Sequence, residues 1–191
     1  MLTFYAFSGG QESDQGCIGG NPVLHAEKDG LEIIYTLATG HGFTPGQIVE
    51  VTIDWPRRYQ LMRLHFVAEL VLELFYQTLP GVEKLGAHIA EDKARIDFAW
   101  PVSIAPLLSG ITKAANNIIA SDLGILSAFE DEATERRFWE IEGFSRVPCG
   151  GTHLKRTGEI GPLRLKRNNI GRGKERVEIF LTSGEVVEKK G

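Results

Sequence analysis

Two segments, far apart in the chain, contain side chains that can bind a metal ion. His65 and Glu69 are four residues apart, while Cys149 and His153 flank three residues, two of them glycine. Thiolate, imidazole and carboxylate groups are all zinc ligands, and bound zinc activates water for hydrolysis. Because glycine has no Cβ, the second segment can bend tightly enough for both of its ligands to reach one ion. These residue types predict a zinc site that carries out hydrolysis.

Each segment also has a purely structural interpretation. Residues four apart lie on one face of a helix, and a His–Glu pair at this spacing is more often a surface ion pair than half of a metal site. The loop that contains Gly150 and Gly151 can also be a tight turn beside a buried cysteine. The metal prediction therefore requires that the two segments meet in the fold.

A long helix is predicted around His65. Asp54 can cap its start, and Pro56 suits the first turn, where a missing backbone N–H costs nothing. Pro80-Gly81 ends the helix. Apolar residues at steps of three and four predict a buried stripe, which consists of Leu61, Leu64, Ala68, Val71, Leu72 and Phe75.

Strands are predicted on both sides of this helix. The first fifty residues indicate a small Gly-rich β domain with a hairpin at Asp29-Gly30 and a strand over Ile48–Ile53. Because the later helices and strands do not alternate regularly, the predicted fold class is α+β. Those later elements are a strand over Ala94–Trp100, a helix over Ile104–Ile119, a short charged helix over Glu130–Arg137, and strands over Phe138–Ile141, Ile160–Lys166 and Arg176–Leu181.

The composition is typical of a globular protein. The chain has 191 residues, of which 42% are hydrophobic, enough for one core or one core with a small satellite domain. It contains no apolar run near the ~18 residues of a membrane span, and its first residues do not resemble a secretory signal. The two cysteines, Cys17 and Cys149, are therefore expected to be free thiols in the cytoplasm.

The charge is unevenly distributed along the chain. The formal net charge is −4, but residues 155–176 contain eight positive and two negative residues, which leaves +6 there and −10 elsewhere. The net charge argues against a purely electrostatic nucleic-acid binder, yet a local basic stripe on an acidic body can contact phosphates. A solvated β-hairpin face is the alternative interpretation of this stripe.

Four segments, in order along the chain, carry a family resemblance. The sequence Cys-Gly-Gly-Thr-His at Cys149–His153, followed by Thr157–Gly161, resembles the hallmark of the editing domain of alanyl-tRNA synthetase and its free-standing AlaX-type relatives, the second additional domain of threonyl- and alanyl-tRNA synthetases. Phe4–Gly16 resembles the Gly-rich N-terminal motif of that family, Ile53–His65 its approach to the metal helix, and Glu91–Phe98 its central strand. Together they span nearly the whole chain.

The resemblance implies a fold and a function. The fold would be a small β-barrel-like domain over residues 1–54, then an α+β editing domain over residues 55–191 whose long metal-bearing helix packs on an antiparallel sheet. The function would be hydrolysis of mischarged aminoacyl-tRNA, such as seryl- or glycyl-tRNA for alanine, with one zinc ion per chain. The expected partner is the acceptor end of tRNA, with no membrane and no protein partner required.

The resemblance also implies roles for individual residues. The metal ligands would be His65, Cys149, His153 and Glu69, and Glu69 and Gln11 are the candidate catalytic residues. The basic stripe would hold the acceptor stem through its phosphates. The candidate substrate-binding residues are Gly9, Gly10, Phe66, Gly150, Gly151, Thr152, Arg164 and Arg167.

Two positions on the metal helix depart from the family pattern. The family has His-Thr-Ala-x-His, whereas this chain has Phe66 in place of the threonine and Glu69 in place of the second histidine. As a ligand, Glu69 would make the metal more electron-rich and a weaker Lewis acid. Away from the metal, Glu69 would be free to take a proton from bound water; a third possibility is that metal binding is lost. Phe66 removes a hydroxyl and fills space, which suggests a changed or narrowed amino-acid preference; the alternative is that Phe66 turns into the core.

Two other functions remain compatible with these departures. A hydrolase of the same fold could act on a small ester or amide, which suits the acidic net charge and the substituted ligand. A non-catalytic tRNA-binding module with a degraded site could retain the fold without the chemistry. Activity on small esters without tRNA would indicate the first, and tRNA binding without zinc would indicate the second.

Overall fold

A computed structural model describes residues 4–30, 32–171 and 173–182. It begins with four strands, β1 (Gly16–Ile18), β2 (Asn21–Asp29), β3 (Glu32–Leu37) and β4 (Val51–Ile53). They form an antiparallel sheet of strand order β3-β2-β1-β4. Asp29 pairs with Glu32 across the β2–β3 turn, which confirms the predicted hairpin.

The long helix α1 extends over Trp55–Thr78. Asp54 caps it, because its Oδ1 accepts a hydrogen bond of 3.1 Å from the backbone N–H of Arg57, and Pro56 lies in the first turn. The buried residues of α1 form more than the predicted stripe, since Phe66, Val67 and further apolar side chains are also enclosed. The helix is therefore surrounded by other elements over most of its length.

A second sheet contains β5 (Glu83–Ile89), β6 (Ala94–Ala99), β10 (Leu163–Asn169) and β11 (Lys174–Leu181). It is antiparallel and has the strand order β10-β11-β6-β5. Its strand β6 alternates, with Ala94, Ile96 and Phe98 in the core and the residues between them only partly buried. Helix α2 (Leu108–Ala120), which follows a 3-10 turn at Ala105–Leu107, packs against both α1 and this sheet.

A third antiparallel sheet contains β7 (Leu126–Asp131), β8 (Arg136–Ile141) and β9 (Ser145–Pro148) in that order. The short charged helix predicted over Glu130–Arg137 is therefore wrong, because this segment is the turn and the ends of a hairpin. A 3-10 helix at Thr157–Ile160 follows and packs against α1 and α2. Among the described residues, neither α-helix is long and apolar enough to cross a membrane.

The predicted fold class, an N-terminal barrel followed by an α+β domain with its helix laid on one sheet, is wrong. The described residues form mainly antiparallel sheet, with eleven strands in three sheets and two α-helices. The N-terminal sheet does not close, since β3 and β4 are both edge strands, and four strands are far fewer than the roughly eight of a small barrel. Helix α1 contacts strands β5, β6 and β11 of the second sheet, but α2 and the second 3-10 helix cover it as well, so it is enclosed on several sides and is not laid on a sheet alone.

Candidate metal centre and substrate pocket

His65, Cys149 and His153 come together in the fold. His65 is buried on α1, Cys149 directly follows β9, and His153 lies in the loop before the second 3-10 helix. One ligand atom from each lies within 4.8 Å of the other two. His65 Nε2 is 3.3 Å from Cys149 Sγ, and the two imidazole ring centres are 5.6 Å apart. We call these three residues the metal group.

Gly151 explains how the loop approaches the helix so closely. A Cβ at this position would lie 2.6 Å from His65 Nε2, whereas a Cβ at Gly150 would have no heavy atom within 4 Å. The backbone of Cys149 is fixed independently, because its N–H donates to the carbonyl oxygen of Arg137 at 2.9 Å. Of the two glycines, only Gly151 is needed for space beside the metal group.

The protonation states of the metal group follow from its burial. Burial lowers the pKa of His65, and burial together with the neighbouring His65 imidazole, which disfavours a second positive charge, lowers the pKa of His153 to about 3. Burial and the nearby Glu69 carboxylate raise the pKa of the Cys149 thiol to about 11. At neutral pH both imidazoles are therefore neutral and have a lone pair to offer, and the thiol retains its proton until a cation displaces it.

The donor set fits a zinc ion. Two imidazoles and one thiol are nitrogen and sulfur ligands, and three protein ligands leave one position for water or substrate, as in catalytic zinc sites. His153 Nε2 is buried and forms no hydrogen bond within the described residues, which is costly unless a ligand uses it. The other ring nitrogen, Nδ1, is hydrogen-bonded at 3.1 Å to Ser127 Oγ, a contact that orients the ring.

Glu69 lies beside the metal group and is not part of it. Its Oε2 accepts a hydrogen bond of 3.2 Å from the indole N–H of Trp139, which is fully buried. Glu69 and His65 also line a cavity of about 20 Å³, together with Gly9 and Lys84. This volume exceeds the roughly 10–15 Å³ that one water molecule requires.

Phe66 is completely enclosed next to the metal group. Its ring meets Trp139 edge-on at 5.1 Å and His153 edge-on at 5.8 Å between ring centres. These contacts turn Phe66 into the core, so that it forms part of the wall behind His153.

The Gly9-Gly10-Gln11 segment reaches the same region from the N-terminus. It lies along the edge of β5, where the N–H of Ile89 donates to the carbonyl of Gly10 at 2.8 Å. Gly10 has a φ of +84°, and a Cβ there would lie 2.2 Å from the Ala87 carbonyl oxygen, so this position requires glycine. Gln11 is buried, and its side-chain amide has no hydrogen-bond partner among the described residues.

Of the remaining predicted site residues, one lies beside the metal group and two lie on a strand of the second sheet. Thr152 lies in the loop of the metal group, with a buried hydroxyl that has no hydrogen-bond partner in the described chain. Arg164 and Arg167 are both on β10, where the Arg164 guanidinium lies 3.9 Å from the Phe180 ring centre and Arg167 pairs with Glu175. None of these contacts connects the two arginines to the metal group.

Much of the basic stripe is neutralised by ion pairs. Besides Arg167, Arg156 pairs with Asp122 and Arg176 pairs with Asp97. Arg172, also counted in the stripe, lies outside the described residues. The stripe therefore presents less free positive charge than its sequence suggests.

Two residues of this site, Ser127 and Trp139, were not predicted; they contact His153 and Glu69. They are paired across β7 and β8, so both side chains are on one face of the third sheet. Trp139 lies in the predicted strand Phe138–Ile141, but the assignment of residues 130–137 to a helix left that strand without its hairpin partner, which contains Ser127.

Comparison with known proteins agrees with the sequence motifs. The family model "Threonyl and Alanyl tRNA synthetase second additional domain" matches residues 137–178. The alanyl-tRNA editing protein AlaX-M of Pyrococcus horikoshii is 34% identical over 182 residues, which cover 93% of this chain and 83% of that protein. AlaX-M of Methanosarcina mazei is 30% identical, with 93% and 83% covered. The alanine–tRNA ligase of Staphylothermus marinus is 34% identical over 94% of this chain but only 23% of its own length. The chain therefore belongs to the AlaX-M family of alanyl-tRNA editing proteins.

Proposed function

We propose that this protein is a zinc-dependent hydrolase that removes serine or glycine from tRNA that should carry alanine. Two AlaX-M relatives carry the name of alanyl-tRNA editing proteins and align with most of the chain. The observation that supports the chemistry is the metal group of His65, Cys149 and His153 with a carboxylate beside it. One zinc ion per chain, the acceptor end of tRNA as substrate and a cytoplasmic location belong to this proposal.

The residues of the metal group would hold the ion through two neutral imidazoles and one thiolate. When bound, zinc polarises an ester carbonyl and lowers the pKa of a bound water. Ser127 holds His153 so that its Nε2 remains available, because the other nitrogen is engaged by the hydroxyl. The orientation of the His153 ring is therefore fixed before the substrate binds.

Glu69 is proposed as the general base and not as a ligand. Trp139 donates to one of its oxygens, which fixes the carboxylate beside the metal group. The second oxygen can accept a proton from a water in the small cavity shared with His65. The proton would then pass to the ribose oxygen that leaves when the ester bond breaks.

Other residues are proposed to shape the substrate side of the site. Gly9 lines the cavity of Glu69, and its neighbours Gly10 and Gln11 are fixed on β5, so this segment is a candidate to border the aminoacyl group. Thr152 is a further candidate because its hydroxyl is buried and unpaired. Phe66 would influence amino-acid preference indirectly, by filling space behind His153.

The proposed domain division places residues 1–54 in a Gly-rich β domain and residues 55–191 in the editing domain. The boundary coincides with Asp54, the cap of α1. The two parts would cooperate, since the Gly9-Gly10-Gln11 segment borders the cavity beside His65. Arg164 is the stronger candidate to contact the acceptor stem, because it forms no ion pair among the described residues. Arg167 is paired with Glu175 and has less charge to offer.

The test uses the zinc-loaded protein with seryl-, glycyl- and alanyl-tRNA for alanine. We expect deacylation of at least one mischarged substrate in preference to alanyl-tRNA. Glu69→Gln should lower the rate by about 10²–10⁴-fold, the usual contribution of a general base, while about one zinc per chain is retained. Cys149→Ala should lose zinc as well as activity. The measurements are the deacylation rate and the metal content of each purified variant.

Glu73→Gln is the matched control. Glu73 lies one turn further along α1, and its carboxylate accepts a hydrogen bond of 2.6 Å from Ser145, yet it does not contact the metal group. Loss of zinc from Glu69→Gln would show that Glu69 is a ligand. Hydrolysis of small esters without tRNA would favour a small-molecule hydrolase, and tRNA binding without zinc or hydrolysis would favour a binding module.

A further inference from the structure

A second cavity, of about 350 Å³, lies beside Cys149 at one end of the third sheet. Its volume is at the lower end of the roughly 300–1,000 Å³ of small-ligand sites, and the cavity is widely open to solvent. Because Cys149 belongs to the metal group as well, a ligand in this cavity would have one end next to the proposed site of hydrolysis. The lining residues are Glu130, Glu135, Arg136, Arg137, Pro148, Cys149 and Gly150.

Arg137, which lines this cavity, and its neighbour Phe129 form a platform beside it. They are directly paired across β8 and β7, and the guanidinium carbon of Arg137 lies 5.5 Å from the Phe129 ring centre. Arg137 Nε is buried without a hydrogen-bond partner in the described chain, while the Phe129 ring is 50% exposed. Exposed aromatic rings beside guanidinium groups are the surfaces on which proteins stack nucleobases and hold phosphates.

The platform lies on the same sheet face as the two residues that contact His153 and Glu69. Side chains at alternate positions of a strand share one face, so Phe129 and Arg137 lie on the same face as Ser127 and Trp139. Ser127 contacts His153, and Trp139 contacts Glu69. The two residues that contact His153 and Glu69 and the aromatic–guanidinium pair therefore lie next to one another on a single face of the sheet.

We propose that this cavity binds the terminal nucleoside of the aminoacyl-tRNA, with its base against Phe129 and its phosphate at Arg137. This inference rests on the proposed function, because the amino acid of that substrate is esterified to the ribose of the last nucleotide. The nucleoside must therefore lie within a few bonds of the reacting carbonyl. The cavity meets this requirement, because Cys149 of the metal group is one of its lining residues. Glu130 and Glu135 supply acceptors for the hydroxyl and amino groups of the nucleoside.

Binding of uncharged RNA tests the proposal without relying on catalysis. The probe is a fluorescent RNA hairpin with a single-stranded CCA end, compared with the same hairpin ending in CC. The zinc-loaded wild type should bind the CCA hairpin more tightly. Phe129→Ala should weaken CCA binding by roughly ten- to hundredfold, the usual effect of losing one base stack, and leave CC binding unchanged. Phe129→Tyr should restore the preference, and Arg137→Gln should reduce it.

Two variants on the opposite face of the same sheet are matched controls. Arg146 also lies over a phenylalanine, with its guanidinium 3.8 Å from the Phe138 ring centre, so Arg146→Gln removes an equivalent charge and contact. Leu126, 55% exposed on β7, pairs with Glu140, so Leu126→Ala removes a comparable apolar surface. Both should retain the CCA preference, and zinc content and melting temperature verify that each variant is folded.

Two results would overturn the proposal: a wild type that binds CCA and CC ends equally, or Phe129→Ala and Arg137→Gln variants that retain the wild-type preference. Deacylation by the wild type separates this failure from failure of the proposed function. If mischarged tRNA is hydrolysed but Phe129 has no influence on CCA binding, only the nucleoside pocket is wrong. If the CCA preference depends on Phe129 but no charged tRNA is hydrolysed, the pocket stands and the proposed activity is wrong.

Discussion

The Cys149 thiol and the two imidazoles of the metal group differ in whether they hold a proton before metal arrives. The thiol has a raised pKa, about 11, and both histidine pKa values are lowered, so that at pH 7 to 8 only Cys149 retains a titratable proton. A zinc-bound thiol is deprotonated outright. Binding of the ion must therefore displace one proton, and the source of that proton is a single residue.

This difference predicts the pH dependence of zinc binding. Because the metal-free form binds one more proton than the zinc form, affinity should increase about tenfold per pH unit between pH 7 and 8. Calorimetric titration with zinc in buffers of different ionisation enthalpy should give about one proton released per ion. Release of no proton would mean that Cys149 is already a thiolate, and release of two would mean that an imidazole is protonated.

Residue types and spacing, together with the family resemblance, were sufficient to predict that His65, Cys149 and His153 come together, since few other side chains bind zinc and the loop glycines pointed to a close approach. They were not sufficient for Glu69, whose surroundings depend on Trp139, a residue 70 positions away. Nor could they show that Phe66 faces the core, because α1 is covered on several sides by other elements along its middle part. The surroundings of Glu69 and the orientation of Phe66 are both decided by contacts between distant parts of the chain.

At the scale of elements, the third sheet shows why local sequence was misleading. Residues 130–137 are rich in charged residues that favour helices, but Asp131 makes a turn, accepting hydrogen bonds from the backbone of Ala133 and the hydroxyl of Thr134. These bonds also lower the pKa of Asp131. Glu135 adopts a φ of +53°, which no helix permits, and β8 then pairs with both neighbours. Tertiary pairing and turn chemistry override helix propensity here.

The contact between the metal loop and α1 leads to a second prediction. Gly151→Ala should lower zinc affinity by roughly ten- to hundredfold, as other changes next to ligands do, because its Cβ would displace the His65 ring. Competition with a chelator of known affinity measures the change. Gly150→Ala should have no effect, since a Cβ there has free space. Equal zinc affinity of Gly151→Ala and the wild type would contradict the close approach.

At the scale of the whole molecule, the N-terminal segment is attached to the rest by a buried ion pair. Asp14, with a side chain 0% exposed, accepts hydrogen bonds from the Arg58 guanidinium, itself 5% exposed, and from the backbone of Tyr5. Arg58 lies in the first turns of α1. The same segment is also bound to β5 through Gly10, so the N-terminal sheet is connected to the two elements that border the metal group.

This ion pair predicts a large effect on stability. Asp14→Ala would leave the Arg58 charge buried without that carboxylate, and such changes lower the free energy of unfolding by about 3–5 kcal/mol. For a chain of this size the melting temperature should fall by roughly 6–20 °C. Glu130→Ala, which removes an exposed partner of Arg146 at 3.9 Å, should cost less than about 1 kcal/mol. Similar melting temperatures for the two variants would contradict this role of Asp14.

The hairpin of β7 and β8 limits how the length of this chain can change over evolution. Phe129, Arg137, Ser127 and Trp139 share a face only because the two strands keep their present register. One residue inserted within either strand would turn the side chains beyond it to the opposite face. An insertion between the strands, at residues 132–135, would leave all four in place. Insertions and deletions in proteins descended from this one should therefore accumulate in the turn at residues 132–135 and be absent from β7 and β8.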